Sequence, residues 1–313
     1  MKVIVDDKIP YLIRPLRVVT EVVALPAADI TPAAVRDADA LIIRTRTRCD
    51  EALLAGSSVR FIATATIGFD HIDTAWCEAH GISWTNCPGC NASSVCQYVE
   101  CALRLLEREG VLTLGGSRIG IIGVGHVGSR VKAMAERLGM TALCYDPPKG
   151  MWDDVSHADV VTFHVPLTKD GPYPTFHLAD GRFFASLSRR PVFINTSRGP
   201  VMDTAAVVSA LHEGQIRQAV IDVWEHEPVP DAELLALARL TTPHIAGYSA
   251  DGKARASQMA LDALCAFFHL PSVQAETPPS APAPYDIDAD SRRLKASPDS
   301  FEYQRGHYPI RRE

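Results

Sequence analysis

The sequence predicts an α/β protein with two doubly wound parallel-sheet domains, joined by a hinge and followed by a short C-terminal tail. Short apolar runs of strand length alternate with segments of helical period, which is the pattern of parallel strands covered by helices. This alternation occurs before and after an amphipathic segment that begins at Ser94. A chain of 313 residues is also long for a single core. We therefore predict one domain at residues 1–93, completed by 264–270, a second at 94–263, and a tail at 271–313.

The first domain is predicted from four strand-like runs, with helical patterns at 32–38 and 51–55 between them. The runs are Val3–Val5, Val22–Leu25, Leu41–Ile43 and Phe61–Ala63. This part of the chain contains no glycine-rich loop suited to a phosphate group. A dinucleotide site is therefore expected in the second domain.

The second domain opens with a helix whose apolar face includes Val95, Val99 and Ala102. Near its end, another amphipathic helix over residues 254–268 is expected to return the chain to the first domain and close a hinge. Six strands between them suggest a doubly wound sheet: Arg118–Ile122, Leu143–Asp146, Val160–His164, Val192–Asn195, Ala219–Asp222 and Leu240–Thr242. Only 13 residues separate Asp146 from Val160, so the crossover helix there should shrink to a turn at 152–155. Residues 277–284 are rich in proline and predict an extended linker, followed by a polar tail too short for its own core.

Composition excludes several classes of protein. With 47% apolar and 22% charged residues the chain is of globular type, and a net charge of −6 without a long basic run argues against a nucleic-acid partner. No apolar stretch approaches the roughly 18 residues that span a bilayer, and the N-terminus carries acids where a signal peptide would be apolar. We therefore expect no membrane partner and a cytoplasmic location.

Cysteine spacing gives one weak sign of a metal site. Cys87 and Cys90 have the spacing of a metal-binding or redox pair, but no second pair or neighbouring histidine completes a set of four ligands. The eight cysteines are spread through strand-like and helix-like patterns, which favours reduced, buried thiols. No metal is expected.

A glycine-rich motif predicts the cofactor. Gly123-Val124-Gly125-His126-Val127-Gly128 directly follows the strand Arg118–Ile122 and leads into a helical pattern, as in the Rossmann and flavodoxin-like folds that bind a pyrophosphate at a helix N-terminus. Asp146 ends the next strand, where a carboxylate accepts hydrogen bonds from a ribose diol and repels a 2′-phosphate. NAD is therefore favoured over NADP. The alternative is that the glycines serve only a turn and that Asp146 is a surface acid.

Three ionisable residues follow predicted strand ends and suit the oxidation of a hydroxy acid. Arg198 can hold a substrate carboxylate in a bidentate fork, and His244 can accept the hydroxyl proton. Glu227 can hold an imidazole in one tautomer and stabilise its charged form. Taken singly, each could be an ordinary surface cation, loop acid or core histidine. Their order downstream of a dinucleotide loop favours catalysis.

At these residues the chain resembles the D-isomer-specific 2-hydroxyacid dehydrogenases, which share the loop glycines, an Arg, a Glu before Pro and a His in this order. The resemblance covers roughly residues 1–270 and includes more specific segments, among them Thr64–His71, Pro166–Tyr173 and His244–Tyr248. It implies that Glu227 pairs with His244 and that the substrate is a small phosphorylated 2-hydroxy acid. It also implies a homodimer, although the family's dimerisation domain is reduced here to the tail.

The resemblance further assigns residues to each ligand. Residues implied to touch substrate are Thr45, Thr66 and Tyr248; those implied to line the NAD site, besides the loop glycines, are His126, Val127, Asp146, Thr196, Ser197, Arg198, Asp222 and Gly247. Charge alone suggests Arg44 and Arg46 for the substrate phosphate. Two alternatives stay open: a dehydrogenase for another D-2-hydroxy acid such as glycerate, lactate or 3-phosphoglycerate, and an NAD-sensing binding protein without turnover.

Overall fold

The computed structural model describes residues 1–313, in which twelve strands alternate with twelve helices. The strands are β1 (Lys2–Asp6), β2 (Glu21–Leu25), β3 (Ala40–Ile43), β4 (Phe61–Thr64), β5 (Ser83–Thr85), β6 (Arg118–Ile122), β7 (Thr141–Asp146), β8 (Met151–Trp152), β9 (Val160–Phe163), β10 (Val192–Asn195), β11 (Gln218–Ile221) and β12 (Leu240–Thr241). The helices are α1 (Ile13–Leu16), α2 (Pro32–Val35), α3 (Glu51–Leu54), α4 (Thr74–Ala79), α5 (Ala92–Arg108), α6 (His126–Arg137), α7 (Gly181–Ser186), α8 (Thr204–His212), α9 (Ala232–Leu237), α10 (Ala250–Phe268), α11 (Ile287–Ala296) and α12 (Phe301–Gly306). None of these helices combines the length and apolar character needed to cross a lipid bilayer.

The chain forms two compact units. Unit 1 comprises Met1–Asn91, Ser249–Pro282 and Arg312–Glu313, and unit 2 comprises Ala92–Tyr248 and Ala283–Arg311. Each contains a largely parallel sheet with apolar clusters, which confirms the predicted fold class.

Unit 1 contains a five-stranded sheet in the order β2-β1-β3-β4-β5, in which every pair is parallel. Strands β3 and β4 are buried along their whole length, as strands covered on both faces must be. The order is that of flavodoxin-like folds, with the reversal at β1. Sequence analysis missed β5, which has only three residues.

Unit 2 contains a seven-stranded sheet in the order β12-β11-β10-β9-β6-β7-β8. All pairs are parallel except β7 with the two-residue edge strand β8. The strand order reverses at β6, which lies between β7 and β9. A crevice at the carboxyl ends of the strands is expected at such a reversal, and it is where doubly wound sheets bind ligands.

Unit boundaries in the structure differ from those that the sequence predicts. The return to unit 1 begins at Ser249, not at residue 264, because α10 is a single continuous helix from Ala250 to Phe268. Its buried residues Ala256, Ala260 and Leu264 share one apolar cluster with residues of β1, β3 and β4. The whole helix therefore belongs to unit 1.

The short crossover after β7 contains no α-helix, so the predicted turn of helix at residues 152–155 is wrong. Trp152 lies in β8, opposite Tyr145, and the remaining residues form 3₁₀ turns at Pro147–Lys149 and Val155–His157. The crossover can be short because Gly120 on β6 has no side chain: a Cβ there would lie 3.0 Å from the Cβ of Val155.

The tail is more structured than its polar composition predicts. Residues 271–286 form neither helix nor strand, but α11 and α12 follow and pack into unit 2. Ile287 joins one of the two apolar clusters of unit 2, and Leu294 and Phe301 join the other. The tail therefore has no core of its own, as predicted, but completes the core of unit 2.

Candidate active site

The loop between β6 and α6 needs two of its glycines for its own packing. Gly123 has φ +88°, and a Cβ there would lie 2.8 Å from the carbonyl oxygen of His164. A Cβ on Gly128 would lie 2.0 Å from the carbonyl oxygen of Gly123. No side chain fits at either position, so both glycines are required by the fold whether or not a ligand binds.

Gly125 differs, because no atom beyond its neighbours in the chain lies within 4 Å of the position that its Cβ would occupy. It is the N-cap residue of α6, a helix of twelve residues that begins with His126 and Val127. The fold itself gives no reason for a glycine there, whereas a phosphate group approaching the positive end of the helix does. The loop therefore fits a dinucleotide.

Asp146 lies at the carboxyl end of β7, beside this loop. Its Oδ2 accepts a hydrogen bond from the Val124 N–H at 2.8 Å and lies 3.8 Å from Lys149 Nζ. The carboxylate is therefore fixed against the glycine loop through one oxygen. Oδ1 forms no hydrogen bond within the chain and suits a ribose hydroxyl.

The residues after β10 form a tight turn that Asn195 organises. Asn195 accepts hydrogen bonds from the Ser197 N–H and hydroxyl, and its amide donates to the Arg198 carbonyl. Thr196 follows Asn195, and its hydroxyl oxygen lies 3.4 Å from Nδ1 of His164. The Arg198 guanidinium donates to the Ser197 carbonyl at 2.8 Å and forms no ion pair. A cation is thus held at the strand end without a carboxylate of the chain to neutralise it.

Asp222, which follows β11, organises the loop that carries His244. Its side chain is fully buried and accepts hydrogen bonds from the Thr242 hydroxyl and from the N–H groups of Ile245 and Ala246. Burial raises the pKa of Asp222 despite these bonds. Because both oxygens are engaged by the chain, the structure shows Asp222 supporting the loop, while its predicted contact with NAD stays a prediction.

His244 and Glu227 form the pair that the resemblance implies. His244 Nδ1 lies 2.8 Å from Glu227 Oε2, although the two residues are 17 positions apart. Glu227 Oε1 accepts a hydrogen bond from the Trp224 N–H at 3.1 Å. Burial acts to raise the pKa of Glu227, but the bond from His244 and nearby positive charge outweigh it, so that the pKa is lowered. The carboxylate stays ionised and can stabilise a protonated imidazole.

His244 itself has a left-handed backbone with φ +55°. Such a conformation is uncommon for a side chain of this size and persists where surrounding bonds impose it. The His244 N–H donates to the Asp222 carbonyl at 2.8 Å, which fixes the start of the loop. Gly247 lies two residues after Ile245 in the same loop and is half-buried.

Two tail arginines support the same loop, and sequence analysis missed both. Arg311 is buried and donates to the carbonyls of Ile245, Ala246 and Ser94. Arg305 donates through Nε to the Tyr248 hydroxyl at 3.0 Å. The only signal was the arginines themselves in a segment taken for a polar tail. The peptides after His244 are thus bound at their N–H groups by Asp222 and at their carbonyls by Arg311.

In unit 1 the predicted substrate residues lie after β3 and β4. Thr45 is exposed, and Thr66 exchanges a hydrogen bond of 2.7 Å with Thr64 and donates to the Gly68 carbonyl. Arg44 is bound by the fully buried Asp6 through two hydrogen bonds of 3.0 Å. Of the two arginines suggested for the phosphate, Arg44 therefore has a structural partner in Asp6.

Cys87 and Cys90 are buried free thiols. Cys87 Sγ donates to the carbonyls of Thr64 and Ala256, and burial raises its pKa to about 12 and that of Cys90 to about 11. Both side chains thus stay protonated, whereas metal ligation needs thiolates. No group of three or more His, Cys, Asp or Glu side chains is arranged to hold a metal ion.

A glycine loop at the reversal of a doubly wound sheet, with Arg, Glu and His at the ends of later strands, defines a nicotinamide-dependent dehydrogenase. Residues 104–246 match the family model described as the NAD-binding domain of D-isomer specific 2-hydroxyacid dehydrogenases. The chain belongs to this family. Unit 2 therefore contains its NAD-binding domain.

Relatives of known name support this assignment over the whole chain. The chain is 50% identical to an erythronate-4-phosphate dehydrogenase of Bacteroides fragilis, covering all of this chain and 97% of the relative. It is 40% identical to the protein of the same name from Escherichia coli, covering all of this chain and 92% of the relative. Among solved structures, an NAD⁺-bound 3-phosphoglycerate dehydrogenase of Entamoeba histolytica is 25% identical with a TM-score of 0.71, over 86% of this chain and 95% of that one.

Proposed function

We propose that this chain oxidises 4-phospho-D-erythronate at C2 to 2-oxo-3-hydroxy-4-phosphobutanoate with NAD, as a step in the biosynthesis of pyridoxal 5′-phosphate. The relatives at 40 and 50% identity carry the name of this activity. The observation that carries the proposal is the 2.8 Å bond between His244 and Glu227 in the unit that binds NAD. It gives a base within the domain that binds the cofactor.

The catalytic roles follow from charge and geometry. His244 pairs through Nδ1, which leaves Nε2 to accept the proton of the C2 hydroxyl. Glu227 holds the ring in that orientation and stabilises the charge that it acquires. Arg198, which no carboxylate of the chain neutralises, binds the substrate carboxylate and polarises the C2 oxygen.

NAD, when bound, accepts the hydride that leaves C2. The residues proposed to hold it are Gly123, Gly125, His126, Val127, Gly128, Asp146, Thr196, Ser197, Arg198, Asp222 and Gly247. The open position at Gly125 and the uncommitted oxygen of Asp146 support the pyrophosphate and ribose parts of this proposal. Thr45, Thr66 and Tyr248 are proposed to contact the substrate. A homodimer and a cytoplasmic location belong to the same proposal.

The test is NADH formation by the purified full chain with 4-phospho-D-erythronate, D-glycerate, D-lactate and 3-phospho-D-glycerate in parallel. We expect the highest kcat/KM with 4-phospho-D-erythronate. A higher value with another acid would show a different dehydrogenase of the same family. No turnover with any acid, together with measurable NADH binding, would favour an NAD-sensing protein.

A further inference from the structure

Arg305 is a cation beside the candidate active site to which the proposed function gives no role. It lies on α12, and its side chain is 26% exposed. Nε donates a hydrogen bond of 3.0 Å to the Tyr248 hydroxyl, and the guanidinium carbon lies 5.7 Å from the centre of the Tyr248 ring. The guanidinium is thus held against the tyrosine that is proposed to contact substrate.

The positive charge of Arg305 also affects the pKa of Glu227, the partner of His244. Burial acts to raise the pKa of Glu227 and the bond from His244 to lower it, and the positive charge of Arg305 adds to the lowering. Tyr248 follows His244 by four residues in a loop whose peptides Asp222 and Arg311 hold. Arg305 therefore lies close enough to the His244–Glu227 pair to act on its charge, and its contact with Tyr248 fixes its position.

The proposed substrate has two anionic ends, a carboxylate and a phosphate, so two cations are expected to bind it. Arg198 suits the carboxylate. Arg311 is buried and its terminal nitrogens donate to backbone carbonyls, while Arg44 is bound by Asp6. The one ion pair of Arg305, with Glu302, has an N···O distance of 3.6 Å, which is longer than a hydrogen bond. Its terminal nitrogens keep their donors for another acceptor.

We propose that Arg305 binds the phosphate group of the substrate and so selects phosphorylated over unphosphorylated 2-hydroxy acids. A planar guanidinium matches the oxygens of a phosphate through two parallel hydrogen bonds. Nε is occupied by Tyr248, which orients the terminal nitrogens. This inference rests on the proposed function and adds to it a specificity-determining residue from the tail.

The experiment compares kcat/KM for 4-phospho-D-erythronate and for D-erythronate in the full-length protein. Removing one partner of a charge-assisted contact in Arg305→Gln is expected to lower the value for the phosphorylated acid about 100-fold. The value for D-erythronate is expected to fall much less, since that acid has no phosphate for Arg305 to bind and loses only the support of Tyr248 that both acids share. Arg305→Lys keeps the charge without the fork and is expected to restore part of the preference. The matched control is Arg292→Gln on α11, where the side chain is 66% exposed.

Inorganic phosphate gives a second measurement on the same proteins. Its inhibition constant against 4-phospho-D-erythronate is expected to rise about tenfold in Arg305→Gln, the loss of one charge-assisted contact, and to stay unchanged in Arg292→Gln. NADH affinity and thermal unfolding of each variant check that the fold is intact. If Arg305→Gln does not fold, the ratio of the two kcat/KM values in Arg305→Lys decides in the same way.

Two results would overturn the inference alone: an unchanged preference in the folded Arg305→Gln, or an equal loss with both acids, which would mean that Arg305 only positions Tyr248. Arg46→Gln is the competing variant in unit 1. If Arg46→Gln removes the preference for the phosphorylated acid while Arg305→Gln keeps it, Arg46 binds the phosphate. A wild-type protein that does not oxidise 4-phospho-D-erythronate would instead reject the proposed function, and this inference with it.

Discussion

Two of the histidine–glutamate pairs in unit 2 look alike by distance and backbone. His244 Nδ1 lies 2.8 Å from Glu227, and His177 Nε2 lies 2.6 Å from Glu225. Both histidines have a left-handed backbone, with φ +55° and +50°. The two glutamates stand two residues apart in one loop. Neither a short His–Glu distance nor an unusual φ therefore identifies a catalytic pair.

The surroundings separate the two pairs. The peptides that follow His244 are bound by Asp222 and Arg311, and its pairing through Nδ1 leaves the outer ring nitrogen for a substrate. His177 uses that outer nitrogen for Glu225 and stacks on Phe176, with ring centres 4.0 Å apart.

The partner glutamates differ as well. The second oxygen of Glu225 accepts a hydrogen bond from the Thr204 N–H at the start of α8, whereas that of Glu227 accepts one from the Trp224 N–H. The comparison indicates that the His177 pair connects a loop to a helix, while the His244 pair leaves a ring nitrogen available for the proton transfer proposed above.

The largest effect should come from His244→Ala. Loss of a general base lowers kcat by two to four powers of ten, and we expect about 1000-fold here. Steady-state NADH formation measures the change. NADH binding should be retained, since it does not need the imidazole; a variant with near wild-type kcat would mean that another group accepts the proton.

Glu227→Gln should have the next largest effect, about 100-fold on kcat, because the amide keeps the shape of the side chain but cannot stabilise an imidazolium. Steady-state NADH formation measures the change. An unchanged kcat in this variant would show that Glu227 does not act on His244.

The lowered pKa of Glu227 also predicts an effect of pH on stability. The ionised carboxylate of Glu227 contributes stability at pH values above the ordinary pKa of a glutamate, and this contribution is lost as pH falls through the lowered pKa of Glu227 in the folded protein. The difference in unfolding free energy between wild type and Glu227→Gln should therefore shrink in acid. Chemical denaturation at several pH values measures it.

The smallest effect on activity is expected from His177→Ala, with kcat/KM within about twofold of wild type, because Glu225 already occupies its outer ring nitrogen. Stability should fall by about 1 kcal/mol for the lost hydrogen bond with Glu225. Urea denaturation and the NADH assay on one preparation give both numbers. A loss of activity as large as that of His244→Ala would overturn the distinction between the pairs.

Sequence patterns predicted the parts of the structure that depend on local order. The strand β6, the glycine loop, α6 and Asp146 follow one another within about 30 residues, so their pattern is visible without any long-range contact. The strands Arg118–Ile122 and Val192–Asn195 were predicted with their observed bounds, because each is a compact apolar run before a loop. The pairing of Glu227 with His244 needed the family resemblance, since α9 and β12 lie between them in the sequence.

The missed features all depend on distant contacts. His177 and Glu225 are 48 positions apart and carry no periodic signal. The role of the tail depends on the burial of Ile287, Leu294 and Phe301, three apolar residues too widely spaced to mark a core. Strand β8 has two residues and exists only because Tyr145 lies opposite it.

Asp222 and Arg311 both hold the loop after His244, and their positions in the sequence set the order in which these contacts can form during translation. Ile245 and the guanidinium that binds its carbonyl are 66 positions apart. At translation rates of about 5–20 residues per second, roughly 3–13 seconds pass between their synthesis. During that interval the glycine loop and the strands are already made, while the loop that carries the base still lacks its second support. A nascent chain should therefore complete the glycine loop before the loop that carries His244 and Gly247 is fully supported.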